Sequence, residues 1–128
     1  MKKTIFLFVF IISIVGIFAS CGTSTKKSDS DSKLIGTWVS NEDSKYELEI
    51  TTSEWIDTYE GKNTLKAKYI LGDTCAVSIT DKNIQSGKYI TVFDNSEIYC
   101  YFIVSATDEN LELSYVGRGN TLSFSKKK

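Results

Sequence analysis

The chain has 128 residues, room for one domain, and its 41% hydrophobic and 12% aromatic content can build a packed core. Fifteen Lys and Arg stand against sixteen Asp and Glu, so there is no basic footprint for nucleic acid. Histidine is absent, which removes every Ser-His-Asp and Cys-His arrangement, and the chain reads as a protein without catalytic residues.

The first element is a leader. Met1-Lys2-Lys3 is a short positive start, Thr4 to Phe18 is an almost unbroken apolar run, and Ala19-Ser20 are small residues before Cys21. That order and length predict a signal peptide over residues 1–20. The run is short for a membrane span, which needs about 20 apolar residues. Phe18-Ala19-Ser20-Cys21 resembles the lipobox of bacterial lipoproteins, with Phe18 in place of the usual Leu. The resemblance implies that Cys21 becomes the lipidated first residue and that the acyl chains make the membrane a partner. It further implies an outer-membrane location, facing the periplasm or the cell surface, because Gly22 is not the Asp that favours inner-membrane retention. Removing Lys2 and Lys3 with the leader leaves 13 basic side chains against 16 acidic ones, a net charge of −3.

Residues 21–33 hold no large apolar side chain beyond Cys21 and are rich in Ser, Thr, Asp and Lys. Such a segment cannot offset its ordering entropy by burial and predicts a flexible tether. From Leu34 to Lys128 the pattern changes to period two. Tyr46, Leu48 and Ile50 alternate with charged residues, as do Leu65, Ala67, Tyr69 and Leu71; Cys75, Val77 and Ile79 alternate with Thr and Ser. The rhythm resumes at Leu111, Leu113 and Tyr115 and again at Leu122 and Phe124. Each run predicts a half-buried strand.

Two stretches break the rule. Between Glu54 and Tyr59, Trp55 and Tyr59 compete with Ile56 for the inward face. Ile98 to Val104 is apolar on both faces, with Cys100, Phe102 and Val104 expected inward. Its other face, Tyr99, Tyr101 and Ile103, is either covered or offered to a partner. Turn signals fall every 8 to 12 residues or so, at Asn41-Glu42-Asp43, Glu60-Gly61, Gly72-Asp73, Asp81-Lys82-Asn83, Asp94-Asn95, Thr107 to Asn110 and Gly117 to Asn120. These loops are too short for crossover helices. The expected fold is therefore all-β, an antiparallel up-and-down meander of about eight strands closing into a small barrel.

Leu34-Ile35-Gly36-Thr37-Trp38-Val39 resembles the Gly-x-Trp opening strand of lipocalin-like proteins, and Asn120 to Lys127 is similar to the last strand of small bacterial lipocalin-like lipoproteins. The resemblance implies that Gly36 lets the chain bend into a barrel floor, that Trp38 plugs it, and that a late Arg packs over the Trp ring. Arg118 is the sole Arg in the sequence and so the candidate. It also implies a small apolar or amphipathic ligand, whose contact residues the sequence leaves unknown.

Chemistry beyond that is sparse, and no cofactor is expected. Glu54, Asp57 and Glu60, or Asp94 and Glu97, could be offered to a hard metal, but neither set has calcium-loop spacing, and no metal is expected. Cys75 and Cys100 are an even pair once Cys21 is acylated. With both on inward faces and the strand from Lys88 to Phe93 between theirs, they stand too far apart, and free thiols are expected. If that strand leaves the sheet, a bond becomes possible. Two functions stay open: a binding protein with its ligand in the barrel mouth, or an interaction or inhibitor module with a filled barrel and an envelope protein as partner.

Overall fold

A computed structural model describes residues 29–76 and 87–128. The leader, Cys21, the tether up to residue 28 and the expected turn at Asp81-Lys82-Asn83 lie outside the described residues. A short helix, α1 (Asp29–Leu34), precedes eight strands: β1 (Gly36–Ser40), β2 (Tyr46–Ile50), β3 (Glu54–Tyr59), β4 (Lys62–Gly72), β5 (Tyr89–Phe93), β6 (Ile98–Ala106), β7 (Asn110–Tyr115) and β8 (Thr121–Lys126). Each strand pairs antiparallel with its sequence neighbours, and β8 returns to β1 to close the barrel. The all-β meander expected from the alternation is therefore the fold. Residues 29–33, which the composition assigned to the end of a tether, belong to α1.

Closure follows from the seam. Trp38 faces Lys126 and Ser40 faces Phe124 in the β1–β8 register. Outside it, Asn41 donates to Ser123 Oγ at 2.8 Å and accepts from Ser125 Oγ at 2.7 Å. Closing the sheet leaves no free edge to template another chain.

The interior is built by the inward half of each alternation. Trp38, Leu48, Ile50, Trp55, Ile90, Leu111, Leu113 and Phe124 are at most 1% exposed, and Leu34 of α1 joins them from one end. Burial of each such side chain is worth roughly 1.5–3 kcal/mol. In β3 the competition resolves in favour of Trp55, which pairs with Ala67 and Ile50 on the inner face. Two bulges adjust the wall: Thr64 is skipped where β3 pairs with β4, and Val104 where β6 pairs with β7.

The faces of β6 are the reverse of the expected ones. Tyr99, Tyr101 and Ile103 pack against the core, while Cys100 pairs with the outward Thr91 and Phe102 with the outward Tyr89. Cys100 and Thr91 are nonetheless buried, because Cys75 and Ala76, just after β4, lie against them on the outside of the barrel wall. Ala76 N–H donates to Thr91 Oγ1 at 3.1 Å, and at Gly87 an added Cβ would lie 2.5 Å from the Phe102 ring.

That crossing overturns the expectation of free thiols. Cys75 and Cys100 form a disulfide with their Cα atoms 5.9 Å apart. The strand between them is present as expected, since β5 lies between β4 and β6. Cys75, however, is not in a strand: β4 ends at Gly72 and the chain leaves the sheet plane. It reaches Cys100 over β5 rather than through the sheet, so the spacing of two strands does not apply.

Candidate ligand site at the open end of the barrel

The meander sorts the hairpins into two ends. The β1–β2, β3–β4, β5–β6 and β7–β8 turns share one end; α1, the start of β1 and the end of β8 share the other.

The α1 end is sealed. Trp38 Nε1 donates to Leu34 O at 2.9 Å, tying the plug to the helix. Lys126 Nζ lies 4.2 Å from the Trp38 ring centroid and donates to Ile35 O at 2.7 Å. Gly36, at φ +145°, makes room for that ammonium: a Cβ there would stand 2.0 Å from Lys126 Nζ. A positive φ of this kind is open to glycine and strained for other residues. Trp38 and Gly36 thus hold the floor. The cation over the Trp is Lys126, not Arg118, because Lys126 continues the inward series of Leu122 and Phe124. Arg118 sits at the other end, in the turn between Gly117 and Gly119, with its guanidinium carbon 5.4 Å from the Tyr115 ring centroid. A shallow hollow of about 200 Å³ beside Lys126 and Glu109 opens to solvent on the outside of this floor.

The other end is built differently. Trp55 on β3 stacks on Tyr101 of β6 across the lumen, with ring centroids 4.9 Å apart. Nearer the mouth stand Tyr46, Tyr99 and Tyr115, all partly exposed. Tyr115 meets the edge of Tyr101 at 5.2 Å and lies 6.3 Å from Tyr99.

Asp57 points into this group, two residues beyond Trp55 along β3. Its Oδ1 accepts from Tyr46 Oη at 2.8 Å and from Trp55 Nε1 at 2.9 Å. Among the described residues no group donates to Oδ2 and no cation pairs with the carboxylate. No buried side-chain oxygen in that set lacks a partner, so Oδ2 is reached by solvent. Thr64, the residue skipped at the β3–β4 bulge, bonds Asp57 O at 3.3 Å; bulges re-aim side chains in this way.

Desolvation raises the Asp57 pKa above the ordinary carboxylate value, and the hydrogen bonds from Tyr46 and Trp55 oppose it. Burial, with Asp57 beside it, holds the Tyr46 phenol far above its usual value, and Tyr101 is raised for the same two reasons. Both phenols therefore remain neutral donors at any physiological pH.

In the sequence Asp57 stands out only as one of three carboxylates, with Glu54 and Glu60, that lack calcium-loop spacing. The structure separates it from Glu54, which pairs with Lys66 at 3.3 Å, and from Glu60, which pairs with Lys45. Asp94 is half-buried and Glu97 exposed in the β5–β6 turn, where Asp94 N–H donates to Glu97 O at 3.0 Å. No group of three potential metal ligands occurs among the described residues. The signal that could have found the site is the pairing of an in-strand Asp with two polar-tipped aromatics, Tyr46 and Trp55, in adjacent alternating strands.

No protein-family model matches the chain, and no curated protein or solved structure matches it significantly. The eight-stranded antiparallel barrel is consistent with a lipocalin-like fold.

Proposed function

We propose that this protein is a lipid-anchored, lipocalin-like binding protein of the cell envelope that takes a small apolar or amphipathic ligand in its barrel mouth. One observation carries the reading: the interior is sealed at the α1 end but lined at the other by partly exposed rings around an inward carboxylate. Aromatic walls with a few convergent polar groups are the usual make-up of a small-molecule site. Binding is tested with N-phenyl-1-naphthylamine, a neutral apolar fluorophore. Saturable enhancement that weakens on Tyr115→Ala supports the reading, and enhancement unaffected by changes at Tyr46, Tyr99, Tyr101 and Tyr115 rejects it.

The anchor has its own test. Cys21→Ser is expected to block processing and abolish labelling by a fatty-acid analogue, and equal labelling of the variant would end the lipoprotein reading.

A second reading, an interaction or inhibitor module, no longer draws support from Tyr99, Tyr101 and Ile103, which pack inward. It draws on Ile70, Phe93 and Ile98 instead, 51%, 37% and 45% exposed on the outer wall of β4–β6. Capture of an envelope protein that is lost on Phe93→Ser, with the mouth intact, would favour it.

A further inference from the structure

We infer that the barrel lies on its side, with the outer wall of β4–β6 resting in the headgroup layer of the membrane that holds its anchor. The inference rests on the lipid-anchor reading above and says which face of the domain that anchor brings to the bilayer.

The exposed apolar surface is gathered on this wall. Ile70, Phe93, Ile98 and Val104 are four of the five large apolar side chains exposed among the described residues, and the fifth, Tyr59, ends β3. Phe93 stands opposite Ile98, and Ile70 lies one diagonal step from Phe93, so the three form one patch across adjacent strands. The far side of the barrel presents Glu47 and Glu49 of β2, Glu112 of β7, and Ser123 and Ser125 of β8. Apolar surface concentrated in this way marks a site of contact with a membrane or a protein.

The charges around the patch suit a lipid surface. Lys68 stands opposite Phe93 and takes part in no ion pair among the described residues. A lysine stem lies along apolar surface while its ammonium reaches out, here to a headgroup phosphate. Asp94 and Glu97, in the turn beyond Phe93, keep the contact shallow, because a carboxylate does not follow a ring into hydrocarbon.

The tether decides between a membrane and a protein. Helix α1 packs against β6. Burial raises the pKa of the Tyr69 phenol on β4, and the charge of Asp31 in α1 adds to it, so the helix lies beside β4 as well. The described chain therefore begins at the foot of the same wall. Cys21 stands eight residues before Asp29, a reach of at most about 29 Å. The nine residues of β6 alone span about 30 Å. An anchor held so close makes the meeting of wall and bilayer intramolecular, at an effective concentration of roughly millimolar order, so a patch of a few side chains is enough. A protein partner gains nothing from the tether. The mouth, at the pole away from it, then opens along the membrane surface.

The test reads depth with a single surface indole. Trp38 and Trp55 are fully buried and give a constant background. Phe93→Trp is made in the full chain, purified as the cell processes it, and placed in vesicles of phosphatidylcholine and phosphatidylglycerol, with or without bromine on the acyl chains near the headgroup. Its emission is expected to shift to the blue in vesicles and to be lost when the lipid is brominated. Glu49→Trp, exposed on the far side, should do neither. Ile98→Asp added to Phe93→Trp should abolish both effects, because a charge then sits in the middle of the contact.

Protein that floats with the vesicles but shows no quenching at Phe93→Trp would overturn the inference and leave the anchor standing. Protein that does not float would overturn both. A blue shift without quenching would mean that a second copy covers the wall, and equal quenching at Glu49→Trp that the barrel has no preferred side; each overturns it. Quenching that survives Ile98→Asp would overturn the assignment to this patch.

Discussion

The two ends of the barrel share one pleat and one alternation, yet they are finished in opposite ways. At the α1 end the inward residues are Trp38, Leu48, Ile50, Leu111 and Phe124, with no more than 1% exposure, and the one charge present, Lys126, is used up on a ring and a carbonyl. At the hairpin end the inward residues are phenols and a carboxylate in contact with water, and a polar atom there is left without a protein partner. Stability and recognition are thus divided along the barrel axis. Substitutions at the first end should unfold the domain, and those at the second should change what it holds.

The largest effect sharpens that division. Trp38→Ala is expected to cost roughly 3–5 kcal/mol, as for other buried aromatic truncations, and Tyr99→Ala less than half of that. Equal shifts of the urea midpoint in the two variants would break the comparison.

Next comes the Cys75–Cys100 bond. It closes a loop with a sequence separation of 25, for which chain entropy gives about 3.5 kcal/mol. The Cys75→Ser, Cys100→Ser pair should lose about that much stability yet keep naphthylamine binding, because the bond lies outside the wall. Mass spectrometry after alkylation in denaturant without reductant should find neither cysteine labelled.

A smaller loss, about 1 kcal/mol, is expected for Lys126→Met, which gives up one cation–π contact and one hydrogen bond to Ile35 O. Lys126→Arg should restore most of it, read as the thermal midpoint.

The smallest effect has the opposite sign. Asp57 holds its proton more tightly in the folded domain than in the unfolded chain. Protonation of this group therefore favours folding: its contribution to stability grows as pH falls through the raised folded value and is complete below the ordinary 3.8. Asp57→Asn should raise the thermal midpoint slightly at neutral pH and remove this group's part of the pH dependence. Tyr46 and Tyr101, the phenols beside it, do not titrate in that range, and Arg118 stays charged. A variant less stable than the parent at pH 7 would mean that the carboxylate is there for the fold.

The meander and its closure were legible because alternation fixes a strand's inward face wherever the other face is polar, as at Tyr46, Leu48 and Ile50. Ile98 to Val104 defeated that rule. Cys75 and Gly87 cover Cys100 and Phe102 from outside while Ile98 and Val104 stay exposed, so both sides are apolar and parity is ambiguous. The same segment hid the disulfide, since a crossing over a strand leaves no mark in a period-two pattern. Lys126 could have been found by continuing the step of two from Leu122 through Phe124. Asp57 could not be found by hydrophobicity, because its inward turn is fixed by donors on Tyr46 and Trp55 that pattern reading counts as apolar bulk.

Helix α1 and the end of β8 leave the barrel from the same pole, so both described chain ends lie opposite the tyrosine mouth. The domain is therefore vectorial. Whatever holds it by the stretch before Asp29, whether acyl chains on Cys21 or a resin in the laboratory, grips the sealed pole and leaves the other facing outward. A fluorophore or affinity tag fused after Lys128 would share that pole, and the mouth would be free to report on what enters it.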